Sequence, residues 1–245
     1  MKIKILLILA ASLLFAGCSK NKNNSSTQNE QRSIKNVTFY LKNLGAWGYK
    51  NEKDLDKNFN NIDRNNKKYF NFGNSFLGIQ MKNTAKNIYY LVKEPDNEKY
   101  WLDSSALTEK FIVINKNDVS TYLQPDPDSK TSIKLQPGDF GCFLDEHGEW
   151  ILVDFYALRP YEKNGQKVWV GKKWINEGYI TDINAAMQAY YLYLSYYFTF
   201  VQKIKNKTKA IEFANKSLDV NNGQETDITF VVKNFLNELQ SGKYF

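Results

Sequence analysis

Among its 245 residues the chain holds one histidine, His147, and two cysteines, Cys18 and Cys142. That scarcity limits its chemistry. If Cys18 is consumed at the N-terminus, Cys142 has no partner within the chain. A disulfide framework or a cysteine-based metal site is then excluded. There is no nucleophile–base–orienter set, no cluster of metal ligands and no phosphate-cradling glycine-rich loop. No basic cluster is interleaved with aromatics, which argues against nucleic acid as a partner. The formal charge is +7, from 33 basic and 26 acidic residues, and +5 without Lys2 and Lys4. The lysines are scattered, as in a compositional bias rather than a binding patch.

What is present is hydrophobic and aromatic: 42% and 15% of the residues, enough for folded protein. Lys2 and Lys4 precede an apolar run over residues 5–15. That run is too short for a bilayer of about 30 Å but suits the core of a secretory signal. It ends Leu14-Phe15-Ala16-Gly17-Cys18. These residues resemble the bacterial lipobox, with Phe15 where leucine is usual and Leu14 one place earlier. The resemblance implies removal of residues 1–17, acylation of Cys18 and membrane lipid as a partner. An ordinary signal peptide cut nearby is the alternative. Residues 19–33 (SKNKNNSSTQNEQRS) contain nothing apolar. Residues 18–33 are therefore expected to be a disordered tether with a reach of about 20 Å.

The centre of the chain is residues 119–180. Two strand-like runs, 139–144 and 149–155, flank a turn at 145–148 that contains Gly148, a local hairpin signal. Pro137-Gly138 punctuates the chain just before the first run. The stretch closes with Trp174-Ile175-Asn176-Glu177-Gly178-Tyr179-Ile180. This succession resembles the bacterial SH3-like domain. The resemblance implies a small β-barrel over residues 111–182, and ligands held in a groove between loops lined by aromatics. The candidates here are Tyr122, Trp150, Tyr161, Trp169, Trp174 and Tyr179, with Tyr156 nearby. Each also suits the core of so small a barrel. Trp101-Leu102-x-x-x-Ala106-Leu107 has the spacing of Trp174-Ile175-x-x-x-Tyr179-Ile180, 73 residues earlier. An internal repeat follows, with a degenerate SH3-like domain over residues 34–110. Its long polar stretch, residues 51–68, reads as a loop with a helical turn at 55–59. Residues 69–81 and 87–92 read as two strands.

Cys142 alternates with Phe140 and Leu144, which makes it a small buried hydrophobe. His147 sits in the hairpin turn, exposed. A Cys142–His147 pair near one hairpin tip is conceivable but lacks an activating environment. The acidic residues Asp126, Asp128, Asp139, Asp145 and Glu146 lack the spacing of a calcium loop. No metal or cofactor is expected.

Residues 183–245 read as helical. Asp182 is a good N-cap, and residues 183–202 carry no charge. A helix apolar on every side must be covered on every side; a membrane span is the alternative. Shorter helices are expected at 208–217 and 227–240. The fold class is thus mainly β: two SH3-like barrels in tandem, then a helical subdomain. The function implied by the two resemblances is non-catalytic binding, by a lipid-anchored envelope lipoprotein, of cell-wall peptide (peptidoglycan) or another envelope protein. A surface-displayed adhesin or a cell-wall hydrolase are the alternatives.

Overall fold

The computed structural model describes residues 31–34, 37–42, 45–156, 170–201, 204–222 and 224–245. The acylation candidate Cys18 and the groove candidates Tyr161 and Trp169 lie outside the described residues.

The fold is mainly β: two antiparallel sheets followed by three helices. The first sheet is built from β1 (Gln31–Ser33), β2 (Thr38–Leu41), β3 (Gly45–Tyr49), β4 (Lys67–Asn71), β5 (Ser75–Asn83), β6 (Ile88–Lys93), β7 (Lys99–Asp103) and β8 (Leu107–Thr108). The second is built from β9 (Phe111–Ile114), β10 (Val119–Tyr122), β11 (Lys130–Leu135), β12 (Phe140–His147), β13 (Trp150–Tyr156), β14 (Gly171–Ile175) and β15 (Tyr179–Ile180). The strand orders are β4-β3-β7-β6-β5-β2-β8 and β11-β10-β14-β13-β12-β9-β15. Matching β2 to β9, β3 to β10 and so on makes the two orders the same. The match extends to register, for Tyr49 opposes Trp101 and Tyr122 opposes Trp174. The 73-residue spacing in the sequence therefore corresponds to a repeated topology.

Each sheet has its own core. Phe39, Leu41, Phe76, Val92, Tyr100 and Leu102 fill the first. Ile112, Ile114, Val119, Val153, Phe155 and Ile175 fill the second. Strand β13 alternates half-buried and buried along its whole length, as period-2 geometry requires of a strand with one inward face.

Four local expectations need correction. The polar run expected to stay unstructured through residue 33 ends earlier, because Gln31–Ser33 pair with Gln80–Lys82 of β5. Strand pairing is made by backbone groups, so a run without apolar side chains can still complete a sheet. Residues 69–81 are two strands, parted at 72–74 where Gly73 takes φ +79. The second-sheet hairpin turns later than expected. β12 continues to His147, which pairs with Trp150, and a bulge between Phe143 and Asp145 takes up the difference. The loop is then Gly148-Glu149, with Gly148 at φ +59, a conformation that favours glycine. Residues 51–66 form three short 3-10 turns, at Glu52–Asp54, Phe59–Asn61 and Arg64–Asn66, in place of the helical turn at 55–59.

The helices are α1 (Ile183–Phe200), α2 (Lys207–Asp219) and α3 (Asp227–Gln240). Each has a side-chain N-cap: Asp182 accepts from the Ala185 N–H, Asn206 from Lys209 and Thr226 from Thr229. No helix among the described residues is long and apolar enough to cross a membrane. The buried face of α1 is made of small and polar residues and one leucine: Ala185, Ala186, Gln188, Ala189, Leu192, Ser195 and Thr199. It meets Ala210, Ala214 and Ser217 of α2, residues small enough to let two backbones approach. Hydroxyls join the helices, as Ser195 Oγ donates to the Ala210 carbonyl at 2.6 Å and Ser217 Oγ to the Gln188 carbonyl at 2.7 Å. The tyrosines and phenylalanines of α1 flank this seam and are mostly half-buried, so the helix is not covered on every side.

The helices rest on both sheets. Phe72, between β4 and β5, stacks on Tyr190 with centroids 4.0 Å apart and planes at 12°. Phe111, Phe140 and Cys142 of the second sheet join the same buried cluster.

Candidate functional site

Three of the six groove candidates come together on the outer face of the second sheet. Strand β13 sends Ile151, Val153 and Phe155 inward, and Trp150, Leu152 and Asp154 outward. On β10, Val119 and Thr121 are buried while Tyr122 is half-buried. Tyr122 opposes Trp174, and Trp174 opposes Leu152, so all three project from one face. The Trp150 ring meets Tyr122 edge-on, with centroids 4.7 Å apart and planes at 85°. The result is a half-exposed aromatic face made by Tyr122, Trp150, Leu152 and Trp174. Sequence reading missed Leu152. Its alternation with Ile151 and Val153 was the available signal.

Tyr179 does not belong to this face. It lies on β15 opposite Ile114 and packs against the core of the second sheet. Tyr156 is also elsewhere, against Phe140 and Tyr193 at the helix interface.

The first sheet carries the same face. Leu91 opposes Trp101 as Leu152 opposes Trp174, which matches Tyr89 to Trp150 and Tyr49 to Tyr122. Here the face is closed. Leu55, from the connection between β3 and β4, packs on Tyr89 and Trp101, and the three are 8%, 5% and 4% exposed. Tyr89 Oη donates to Asp56 Oδ1 at 3.2 Å. Lys86 Nζ donates to the Asp56 carbonyl at 3.1 Å, and Lys82 pairs with Glu52. Burial raises the phenol pKa of both Tyr49 and Tyr89. In the second sheet the matching connection is only residues 123–129. It folds on itself, with Ser129 Oγ donating to the carbonyls of Gln124 and Asp126, and leaves Leu123 67% exposed. Among the described residues no counterpart of Leu55 covers the second face.

A further aromatic group went unread in the sequence. Trp47, Phe59 and Tyr69 are each more than a third exposed and touch in series, at 5.1 and 5.2 Å. Lys67 Nζ sits 3.6 Å from the Phe59 centroid, a cation–π contact. Their distance in sequence hides the group: only the folded 51–66 connection brings Phe59 over β3 and β4.

Cys142 and His147 do not form a reacting pair. Cys142 is buried beneath the helices, its Sγ 3.7 Å from Tyr156 Oη. Burial pushes its thiol up to about 11, opposite to what a nucleophile needs. His147 is exposed at the far end of the same strand. Of the five acidic residues weighed for calcium, Asp139 is buried and accepts from the Gln136 N–H at 2.8 Å, and Asp126 caps the Asp128 N–H at 2.9 Å. These are structural roles. Glu94, Asp96 and Glu98 bring carboxylates within 4.8 Å of one another, but Glu94 is paired with Lys68 at 2.8 Å and Glu98 with Tyr100 and Lys50.

No protein-family model matches the chain, and no curated protein does. Among solved structures it is similar to a putative autolysin from Listeria monocytogenes, at 14% identity and a TM-score of 0.23. That match covers 60% of this chain and 62% of the other. The chain thus spans less than two thirds of the structure it matches.

Proposed function

We propose that this chain is an envelope lipoprotein, held to a bacterial membrane through acylated Cys18, whose second sheet is an SH3-like module that binds without catalysis. Its ligand is cell-wall peptide or another envelope protein. The observation that carries the reading is the half-buried aromatic face of Tyr122, Trp150, Leu152 and Trp174, which no described segment covers, beside a closed copy of itself. Aromatic side chains offer large contact area at low entropic cost and keep a polar edge for the rim. The unreactive setting of Cys142 and its separation from His147 favour gripping over cutting. The residues from Leu14 to Cys18 support the anchor. Acylation with two or more chains gives stable attachment where one chain does not.

Retention on purified sacculi tests the binding role. The wild-type chain is expected to sediment with them, and a folded Trp174→Ala variant to stay in solution. Equal behaviour of the two refutes the role of the face. New muropeptides released by the protein would refute the non-catalytic reading. Mass spectrometry of the N-terminal peptide tests the anchor: an unmodified Cys18 in the cell-derived protein refutes it.

A further inference from the structure

The closed face of the first sheet shows what the open face of the second is shaped to hold. In the first sheet one short segment, residues 52–56, is the occupant. Leu55 lies on Tyr89 and Trp101, the next residue presents its carboxylate to the Tyr89 hydroxyl, and Glu52 pairs with Lys82 at the rim. The second sheet keeps the matching groups. Trp174 stands for Trp101 and Leu152 for Leu91. Trp150 stands for Tyr89, so an indole N–H replaces a phenol O–H, and both donate. His147 opposes Trp150 as Lys82 opposes Tyr89, which leaves a nitrogen donor at the rim. Among the described residues the segment that covers the first face has no counterpart on the second.

From this we infer that the open face takes a peptide segment in which a leucine-like side chain is followed by a carboxylate. The apolar side chain lies on Leu152 and Trp174, and the carboxylate accepts from the Trp150 edge. This inference rests on the binding role proposed for the same face and names its ligand class. The first sheet is then a copy that has supplied its own ligand, and the second is a copy that no described segment covers.

The probe is a synthetic heptapeptide with the sequence of residues 51–57, NEKDLDK. It is titrated into the full-length chain in detergent while the tryptophan indole signals are followed by nuclear magnetic resonance, each assigned by a Trp→Phe variant. The peptide is expected to shift the Trp150 and Trp174 signals saturably and to leave Trp101 unmoved. Replacing its leucine by glycine is expected to weaken binding by about tenfold or more, the worth of burying one such side chain. Replacing the aspartate after that leucine by asparagine is expected to weaken it further. Leu152→Glu should abolish the shifts while the methyl signals of Val153 and Ile175 stay native, which reports an intact core in the second sheet. Absence of shifts at Trp150 and Trp174 overturns the inference, as does equal affinity for the leucine and glycine peptides. Equal affinity for the aspartate and asparagine peptides overturns the carboxylate part. Retention on sacculi without peptide binding removes this ligand class and leaves the binding role. Peptide binding without retention removes the wall as the partner and leaves the ligand class.

Discussion

Gln188 is a polar side chain with no exposure, at the point where the three helices meet. Its Nε2 donates to Thr229 Oγ1 at 3.1 Å, and its Oε1 accepts from Asn221 Nδ2 at 2.7 Å. A buried amide is tolerated because both ends are satisfied. Truncating it leaves a void and strips two polar partners together. Gln188→Ala is expected to lower stability by about 2 kcal/mol, seen as a lower urea midpoint at unchanged slope. Cys142 behaves oppositely, as a side chain whose reactivity is switched off by its surroundings. Since burial pushes its thiol up to about 11, the folded protein should resist alkylation at pH 8. Denaturant should release one fast-reacting thiol at that position. Reaction of Cys142 at a free-thiol rate in the native protein would contradict this account.

The element that decides the site is the 51–66 connection. It is polar and charged, and composition alone assigns it to solvent. Its three short turns nonetheless bury Leu55 and Ile62, at 8% and 4% exposure. Asp54 helps hold the first turn, its carboxyl kept below the usual range by a hydrogen bond from Lys57 at 2.8 Å. Leu55→Ala is expected to cost about 2 kcal/mol, at the low end for a buried leucine because the segment lies at the surface. It should also let water reach Trp101, which a red shift of the tryptophan emission would report. An unchanged spectrum with unchanged stability would show that the loop does not close the face.

At the scale of the whole molecule, the helices and sheets are joined through aromatic side chains, among them Tyr156, Tyr190 and Tyr193. The Tyr190 phenol is pushed up to about 12, and burial also raises Tyr156 and Tyr193. In the unfolded chain these phenols ionise near pH 10. Between about pH 10 and 12 the folded state therefore holds protons that the unfolded state has lost, and stability falls as pH rises. Thermal midpoints are expected to be flat up to about pH 9.5 and to drop steeply above it. A Tyr190→Phe variant should drop less. Midpoints independent of pH up to 12 would show that these tyrosines are not tied to folding.

Much of this architecture was legible in the sequence because it depends on short-range patterns. Alternation along residues 149–155 exposed a strand, and Asp182 ahead of an apolar run exposed the start of α1. The 73-residue spacing exposed the repeat. Three of the described groove candidates share a face because residues opposed across strands were already marked by their aromatic type. The open or closed state of each face was not legible. It depends on whether Leu55 reaches across to Tyr89 and Trp101, residues 34 and more positions away. Nor did composition reveal that α1 buries its alanines, Gln188 and Ser195 while its tyrosines flank the seam. Hydrophobicity states how readily a side chain leaves water, whereas helix contact here is decided by how closely two backbones can approach. Local sequence therefore determined most of the strands, the three helices and the repeat of the sheets. Tertiary packing alone decided which aromatic face is covered, because that is set by contacts between segments far apart in the chain.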